Sequence, residues 1–400
     1  MIKRIKAAIA AFAGTETRAV VPPQYFPGGE FSAVWRGGVN PQTAENLSLV
    51  ASAVGVIASA MSSLPTYVYR RTDSGREIDE AHPLTQLIEE GPNRHQSWAD
   101  WVEWTMAQIL LRGNGLSEIV RDGAGRVTAI EPLPWDGVSV LRLGSGRLAY
   151  DAVRISDLWG SIASPQRFLE GEVVHVRDRS DDGLIGRSRL SRSPAVFASA
   201  LTVQETASDA LANLSSPSGG LTAPGVIDDE TAARLKDSWE SKFGGRNLGR
   251  FVVMGDGLKF ERFMLNPEDA ELLDSRRFSA EEIARLFNLP PPLVGIWDNS
   301  TFTNSETAGR WFGMFCLAPW CRKIEAEIKR SVFTEDERTT HSIELDMSAL
   351  LRGDYAARWA AYKIAVDADI LTRNEVREIE GFNPRRDGNA PTAKPAPGVA

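Results

Sequence analysis

Asp178, Asp181 and Asp182 fall within one glycine-rich segment that also holds several arginines. Clustered carboxylates are the donors hard cations take, so a metal-dependent nuclease is the enzymatic reading of this stretch. Turn chemistry is the competing reading: Asp and Gly recur where a side chain must bond nearby backbone, and cation sites need several converging oxygens. The composition favours turns. The four histidines, at 82, 95, 175 and 341, lie in different segments without ligand spacing and read as structural or solvated. Cys316 and Cys321 sit five apart on one predicted helix, out of disulfide reach, and suit a reducing cytoplasm. A Walker loop needs a lysine after its glycines; residues 244–249 lack it, and there is no His-Glu-x-x-His or Gly-x-Ser-x-Gly. No cofactor and no metal site is expected, so an ATP-driven motor would be a separate chain.

A second stretch holds reactive surface rather than reactive groups. Residues 290–303 carry Val294, Ile296, Trp297 and Phe302 among Asp298, Asn299, Ser300 and Thr301, with no regular period. Something must bury or use those apolar side chains. Two helices position them. The first, 266–289, has Asn266 to cap it, Pro267 at its first turn, and Glu268 and Asp269 on the positive end of its dipole. Ala280, Ile283, Ala284 and Phe287 form its stripe, Arg276, Glu281, Glu282 and Arg285 its wet face, and Pro290–Pro292 its stop; at 1.5 Å per residue the rod is roughly 33 Å long. The second starts at a Thr303–Glu306 capping box, places Ala308, Trp311, Phe312 and Phe315 on one face, and is expected to kink at Pro319 before Trp320, Ile324 and Ile328. Taken alone, these residues also fit a helical hairpin in an ordinary core.

The chain of 400 residues is long enough for two or three subdomains and has no apolar run of membrane length. With 45 basic and 53 acidic residues its net charge is −8, which argues against a protein that grips phosphates but not against a wall that lets DNA slide. Residues 1–39 read as a flexible arm, with a basic, alanine-rich start that faintly imitates a signal peptide. A helix from Asn40 to Leu64, with Leu47, Val50, Ala51, Val54, Ile57, Ala58 and Met61 as its stripe, leads into a strand at 66–71. Ser97 and Asp100 cap a second helix that stops at Gly113, and strands follow at 116–121, 126–133, 138–143, 147–151 and 172–177. Residues 194–214 are helical and contain Glu205 and Asp209 but no lysine or arginine. A hinge at 215–220, a helix capped by Asp228 and a hairpin pairing 250–254 with 258–263 make a small module between the two long helices. Beyond 333 a charged turn, a strand at 343–347, helices at 353–368 and 372–379, and a disordered tail from 385 are expected.

The run FSAEEIARLFNLPPPLVG from Phe278 to Gly295, then STFTNSE and a long helix with a proline inside it, resembles the portal proteins of tailed bacteriophages, the head-to-tail connectors of the lambda-like family. Leu-Arg-Gly-Asn-Gly before the first β hairpin and Leu-Thr-Arg-Asn-Glu-Val-Arg near the C-terminus are similar to the same family, so the resemblance spans roughly 40–384. It implies an α+β portal fold: a β-rich wing at 40–192, a first stem helix at 193–214, an inserted α/β clip at 215–265, a second stem helix at 266–289, a tunnel loop at 290–303, and a kinked helix with a crown-side region at 304–384. Val294, Ile296, Trp297, Asp298, Asn299 and Thr301 would line the DNA channel, though Trp297 is bulky for it. Glu205, Asp209, Glu281 and Arg285 would line the stem, and Lys236, Lys242, Arg246 and Arg250 would face outward from the clip. By resemblance the chain forms a homo-oligomeric ring, a dodecamer, at one capsid vertex of a phage, prophage or gene transfer agent. Its partners would be the major capsid protein, the terminase large subunit, the head-to-tail adaptor and double-stranded DNA passing without sequence specificity. It would be no enzyme, would touch no membrane, and would assemble in the bacterial cytoplasm. Another connector ring protein is the structural alternative; the nuclease through Asp178, Asp181 and Asp182 is the enzymatic one.

Overall fold

The computed structural model describes residues 24–25, 39–73, 75–154, 165–214, 219–222, 259–262, 268–296, 302–348, 355–380 and 382–389. Strand β1 is Gln24–Tyr25. Asn40 and Thr43 then cap each other, each side chain taking the other's amide at 2.8 Å, and open helix α1, Pro41–Glu45. The single helix expected here is two, because Leu47 is extended and α2, Ser48–Ser62, restarts after it. Its buried stripe is Val50, Ala53, Val54, Ile57, Ala58 and Met61, a run of i, i+3, i+4 steps; Ala51 lies 100° round from Val50 and is exposed, contrary to expectation.

Strands β2 (Thr66–Thr72) and β3 (Gly75–Ile78) form a hairpin, and helices α3 (Pro83–Glu90) and α4 (Trp98–Arg112) follow. The Ser97–Asp100 capping box and the left-handed Gly113 bound α4 as the sequence requires. Next come β4 (Asn114–Arg121), β5 (Val127–Leu133), β6 (Ser139–Arg142), β7 (Leu148–Ala152), β8 (Gln166–Leu169) and β9 (Val173–Arg177). Two sheets result, ordered β5-β4-β9 and β1-β6-β7-β8. Strand β8 was not anticipated, and β1 pairs with Leu141–Arg142 from inside the region read as an arm.

The helical part begins with α5 (Arg189–Arg192) and α6 (Pro194–Leu214). The hairpin expected to pair 250–254 with 258–263 is corrected in part: β11, Lys259–Arg262, runs antiparallel to β10, Gly219–Thr222, which includes glycines read as hinge. The helix expected after Asp228 lies outside the described residues. Helix α7 is Glu268–Leu286, at 19 residues about 28 Å long, and packs along α6. Then come α8 (Phe302–Trp311), a π-helical turn (Phe312–Leu317), α9 (Ala318–Ser331), α10 (Glu337–Thr340), β12 (His341–Leu345), α11 (Tyr355–Asp367) and α12 (Arg373–Ile379). Strand β12 starts two residues earlier than expected and pairs with β2, closing the last third of the chain onto the first hairpin. The mixed helix and sheet architecture is that of an α+β protein. Among the described residues no helix is long and apolar enough to cross a membrane.

One core joins α2, α4, the start of α6, the end of α7, α9 and β12; a smaller one lies between the two sheets around Trp135, Tyr150 and Phe168. The Leu-Arg-Gly-Asn-Gly motif clamps the aspartate loop between them. Asn114, 1% exposed, donates from Nδ2 to the Gly186 carbonyl and accepts the Gly186 amide at Oδ1, both at 2.8 Å. The Asp178 amide donates to the Gly113 carbonyl at 2.8 Å. Backbone meets backbone so closely that a Cβ on Gly186 would sit 2.0 Å from the Gly113 carbonyl oxygen. Gly186→Ala should therefore cost more than about 3 kcal/mol in urea unfolding. Gly123→Ala, where a Cβ meets nothing within 4 Å, should stay within about 0.5 kcal/mol. Equal costs would remove the clamp.

Candidate functional site

The site is the root of the two long helices and the turn that leaves it. Arg189 opens α5, whose start is fixed by the Ser188 hydroxyl accepting the Ser191 amide. Its Nη1 donates to the Leu286 carbonyl at 3.1 Å, one of the last carbonyls of α7, where the helix dipole favours a cation. Its Nε lies 3.4 Å from Asp178 Oδ2, and its guanidinium stands 5.5 Å from the Phe287 ring and 5.7 Å from the Trp320 ring. One side chain thus joins the aspartate loop, the root of α6, the end of α7 and α9. Phe197 of α6 meets Phe287 edge-on at 6.5 Å, both fully buried.

Asn288 ends α7 with φ +57, and the Leu289 amide returns to the Ala284 carbonyl at 2.9 Å, a left-handed helix stop. Asparagine tolerates that conformation because its amide finds partners nearby. Here the partner is far off in sequence: Nδ2 donates to the Phe315 carbonyl at 2.7 Å. In an α-helical register that carbonyl would take the amide of residue 319, and Pro319 has none. The helix answers upstream, where the Ala318 amide reaches back five residues to the Gly313 carbonyl and leaves Pro319 in the first turn of α9. The kink expected at Pro319 is therefore a π turn just before it.

That turn overturns one expected face. The extra residue advances the phase by 100°, so Phe312, Cys316, Leu317 and Trp320 point inward, while Trp311 and Phe315 are 60% and 50% exposed. The tunnel-loop expectation changes as well. Pro291–Val294 form a 3-10 turn closed by Gly295 at φ +82, helped by prolines whose φ is already fixed near the helical value. Val294 packs against the main core, and Ile296 is half-buried with its amide donating to the Pro291 carbonyl at 3.1 Å, so neither stands on an irregular loop. Phe302 begins α8, which places Thr303 and Glu306 inside the helix rather than at its cap. Trp297, Asp298, Asn299 and Thr301 lie outside the described residues, as do Lys236, Lys242, Arg246 and Arg250. In the stem, Glu205 is exposed, Asp209 is helical with its side chain undescribed, and Glu281 and Arg285 pair at 3.6 Å across one turn.

A model of the phage portal protein family matches residues 48–381. The chain belongs to that family. It is 26% identical over 380 residues to the portal protein of Enterobacteria phage HK97, covering 93% of this chain and 88% of that one. It is 28% identical over 390 residues to a probable portal protein of Streptomyces phage phiC31, with coverage of 94% and 84%. A solved neck of a native gene transfer agent particle, computed with C12 symmetry, superposes with a TM-score of 0.60 at 23% identity over 95% of this chain and all of its counterpart.

The portal family is a structural one, and the groups that suggested catalysis hold the scaffold together. The three aspartates do not converge. Asp178 accepts the Arg179 amide and faces Arg189; Asp181 pairs with Arg187 and Arg192, whose hydrogen bonds pull its carboxyl below the usual range. Asp182 is raised by burial, but the Ile185 and Leu184 amides and the Ser180 hydroxyl bring it below normal. Among the described residues no three ligand-type side chains form a metal cluster. Burial pushes the Cys316 thiol up to about 11 and the Cys321 thiol up to about 12, so neither is a thiolate near neutral pH. His175, 1% exposed, lies 3.0 Å from Asn114 Oδ1 and from the Tyr150 hydroxyl. The Asn114 oxygen can only accept, so His175 Nε2 donates and Nδ1 accepts from tyrosine. Spacing hid a further pair: His82 and His341 meet at 5.2 Å beside Phe333, with His82 near Glu337 and His341 on Asp79. Arg189 carries no sequence signal, whereas Asn288 before three prolines does, since asparagine is the common non-glycine residue at a left-handed helix stop.

Two outcomes follow. Asn288→Ala loses the bond to Phe315 and strains φ, costing about 2 kcal/mol, while Asn288→Gly loses only the bond, about 1 kcal/mol; urea midpoints give the order. Burial, then the charges of Arg177 and Arg330, hold His175 far below its ordinary pKa. The unfolded chain takes up that proton near pH 6.5 and the folded chain does not, so stability is full above 6.5 and falls below it by up to about 1.4 kcal/mol per pH unit. Unfolding of wild type and His175→Gln at pH 7.5 and 5.5 measures this slope, which the variant should lack in part.

Proposed function

We propose that this portal protein assembles into a ring of about twelve copies at one capsid vertex, through which double-stranded DNA enters during packaging and leaves at ejection. Assembly occurs in the bacterial cytoplasm beside the major capsid protein. The insert between α6 and α7, with Lys236, Lys242, Arg246 and Arg250, is the clip that docks the terminase large subunit and later the head-to-tail adaptor. The finer placement, in a lambda-like branch of the family, is part of this reading. The observation that carries it is the pair of long helices rooted through Arg189, Phe197 and Phe287 in a β-rich body, within a chain matched by the portal family over 48–381. The C12 symmetry of the matched neck supports the count of twelve.

The electrostatics suit passage rather than grip. Helix α6 has no lysine or arginine, and on α7 Arg285 is offset by Glu281 one turn away. A wall that neutralised many phosphates would release counterions and hold DNA tightly; a neutral or acidic wall with Glu205, Asp209 and Glu281 does not. The turn at Val294 and Ile296, followed by Trp297, Asp298, Asn299 and Thr301, narrows the channel at the end of α7.

Negative-stain imaging and light scattering of the purified protein test the reading. Rings of about twelve copies with a hole wide enough for duplex DNA, roughly 20 Å, are expected. A monomer or dimer under all assembly conditions, capsid partners included, would overturn it.

A further inference from the structure

Trp311, Met314 and Phe315 are 60%, 64% and 50% exposed, and they lie within little more than one helical turn. The other exposed large apolar residues, among them Ile78, Ile364 and Phe382, are scattered over different elements. Single exposed side chains are ordinary, whereas a contiguous aromatic patch marks a contact surface. This one is also rigid. Trp311 and Phe315 pack edge-on at 5.5 Å, and the π turn beneath them is fixed by the Asn288 bond to the Phe315 carbonyl. A patch ordered before binding loses little entropy on binding.

We propose that this patch seats in a groove at the stem root of the next copy of the chain, as the apolar centre of the interface between neighbours in the ring. The inference rests on the ring reading above. A cyclic ring joins two different surfaces of each copy, so a knob on one face needs a receptor elsewhere on the same chain. The described residues hold such a receptor: an open groove of about 160 Å³ where the start of α2 meets α6 and α7, with Leu47, Leu49, Ala200, Val203, Ala280 and Ile283 on its walls. Charge complements shape. Residues 307–324 contain Arg310, Arg322 and Lys323 and no acid, whereas 194–214, which form one wall of the groove, contain Glu205 and Asp209 and no base. That asymmetry favours the basic, aromatic surface of one copy against the acidic helix of another, and disfavours either surface against itself.

The decisive comparison is between wild type and the double variant Trp311→Ser, Phe315→Ser, with Met314→Glu as an independent change in the same patch. Because the side chains are exposed in the single chain, circular dichroism and the urea midpoint of either variant should match wild type. Light scattering should show that each needs at least about tenfold more protein to form rings, as expected for losing the centre of an interface. A chain with Val203→Cys and Phe315→Cys should give disulfide-linked ladders on mild oxidation, with Cys316 and Cys321 buried and silent. Rings of either variant at the wild-type concentration, or a cysteine pair that forms no ladder within assembled rings, would overturn the proposal while leaving the ring intact. A wild-type protein that forms no ring at all would remove both readings. Loss of assembly confined to Met314→Glu, with the serine variant assembling normally, would also count against it, since charge alone would then explain the loss.

Discussion

A proline has no amide hydrogen, and the consequences of that one missing donor at residue 319 reach across the helical half of this protein. Phe315 is left with a carbonyl its own helix cannot satisfy in α register. The answer has two parts, a π turn over Phe312–Leu317 and a hydrogen bond from the Asn288 side chain. The second part is a tertiary link, because Asn288 is the residue that ends α7. The end of the stem helix and the bend of the long helix therefore share one contact, and neither can shift alone without stranding a polar group.

Around that contact the packing is redundant. Arg189 bonds the last turn of α7 and stacks between Phe287 and Trp320, while Asp178 holds its other edge. Asp178 is in turn fixed through Gly113, and Asn114 ties the same loop to His175 and the smaller core. The network is polar but closed: the groups at its centre have partners, which is the condition under which buried polar contacts rigidify rather than weaken a fold. It joins the β-rich body to both long helices.

Much of this was legible in the sequence. The Ser97–Asp100 and Thr372–Glu375 boxes, the Gly113 stop and the bounds of α6 follow from local rules, and local rules suffice where one residue decides. The β-rich body and the stem order came from the resemblance to portal proteins. What failed was phase. Trp311 and Phe315 were read inward because an α period was carried through Phe312–Leu317, and no local signal marks where a helix will absorb a proline's missing donor. The strand pairing at the insert failed for a related reason: the partner of Lys259–Arg262 lies at 219–222, and proximity in sequence favoured a nearer one. His82 and His341 meet only because β12 returns to β2, a contact that no spacing along the chain encodes.

The pairing of β10 with β11 has an evolutionary reading. Antiparallel partners lie about 5 Å apart, so the chain leaves the stem and re-enters it through a single narrow gateway. Whatever sequence is inserted there can be lengthened, exchanged or lost with its two ends already joined, leaving the register of α6 against α7 untouched. The insert is thus a cassette: a lineage can acquire a new docking specificity by recombination within it, while the stem stays under separate selection.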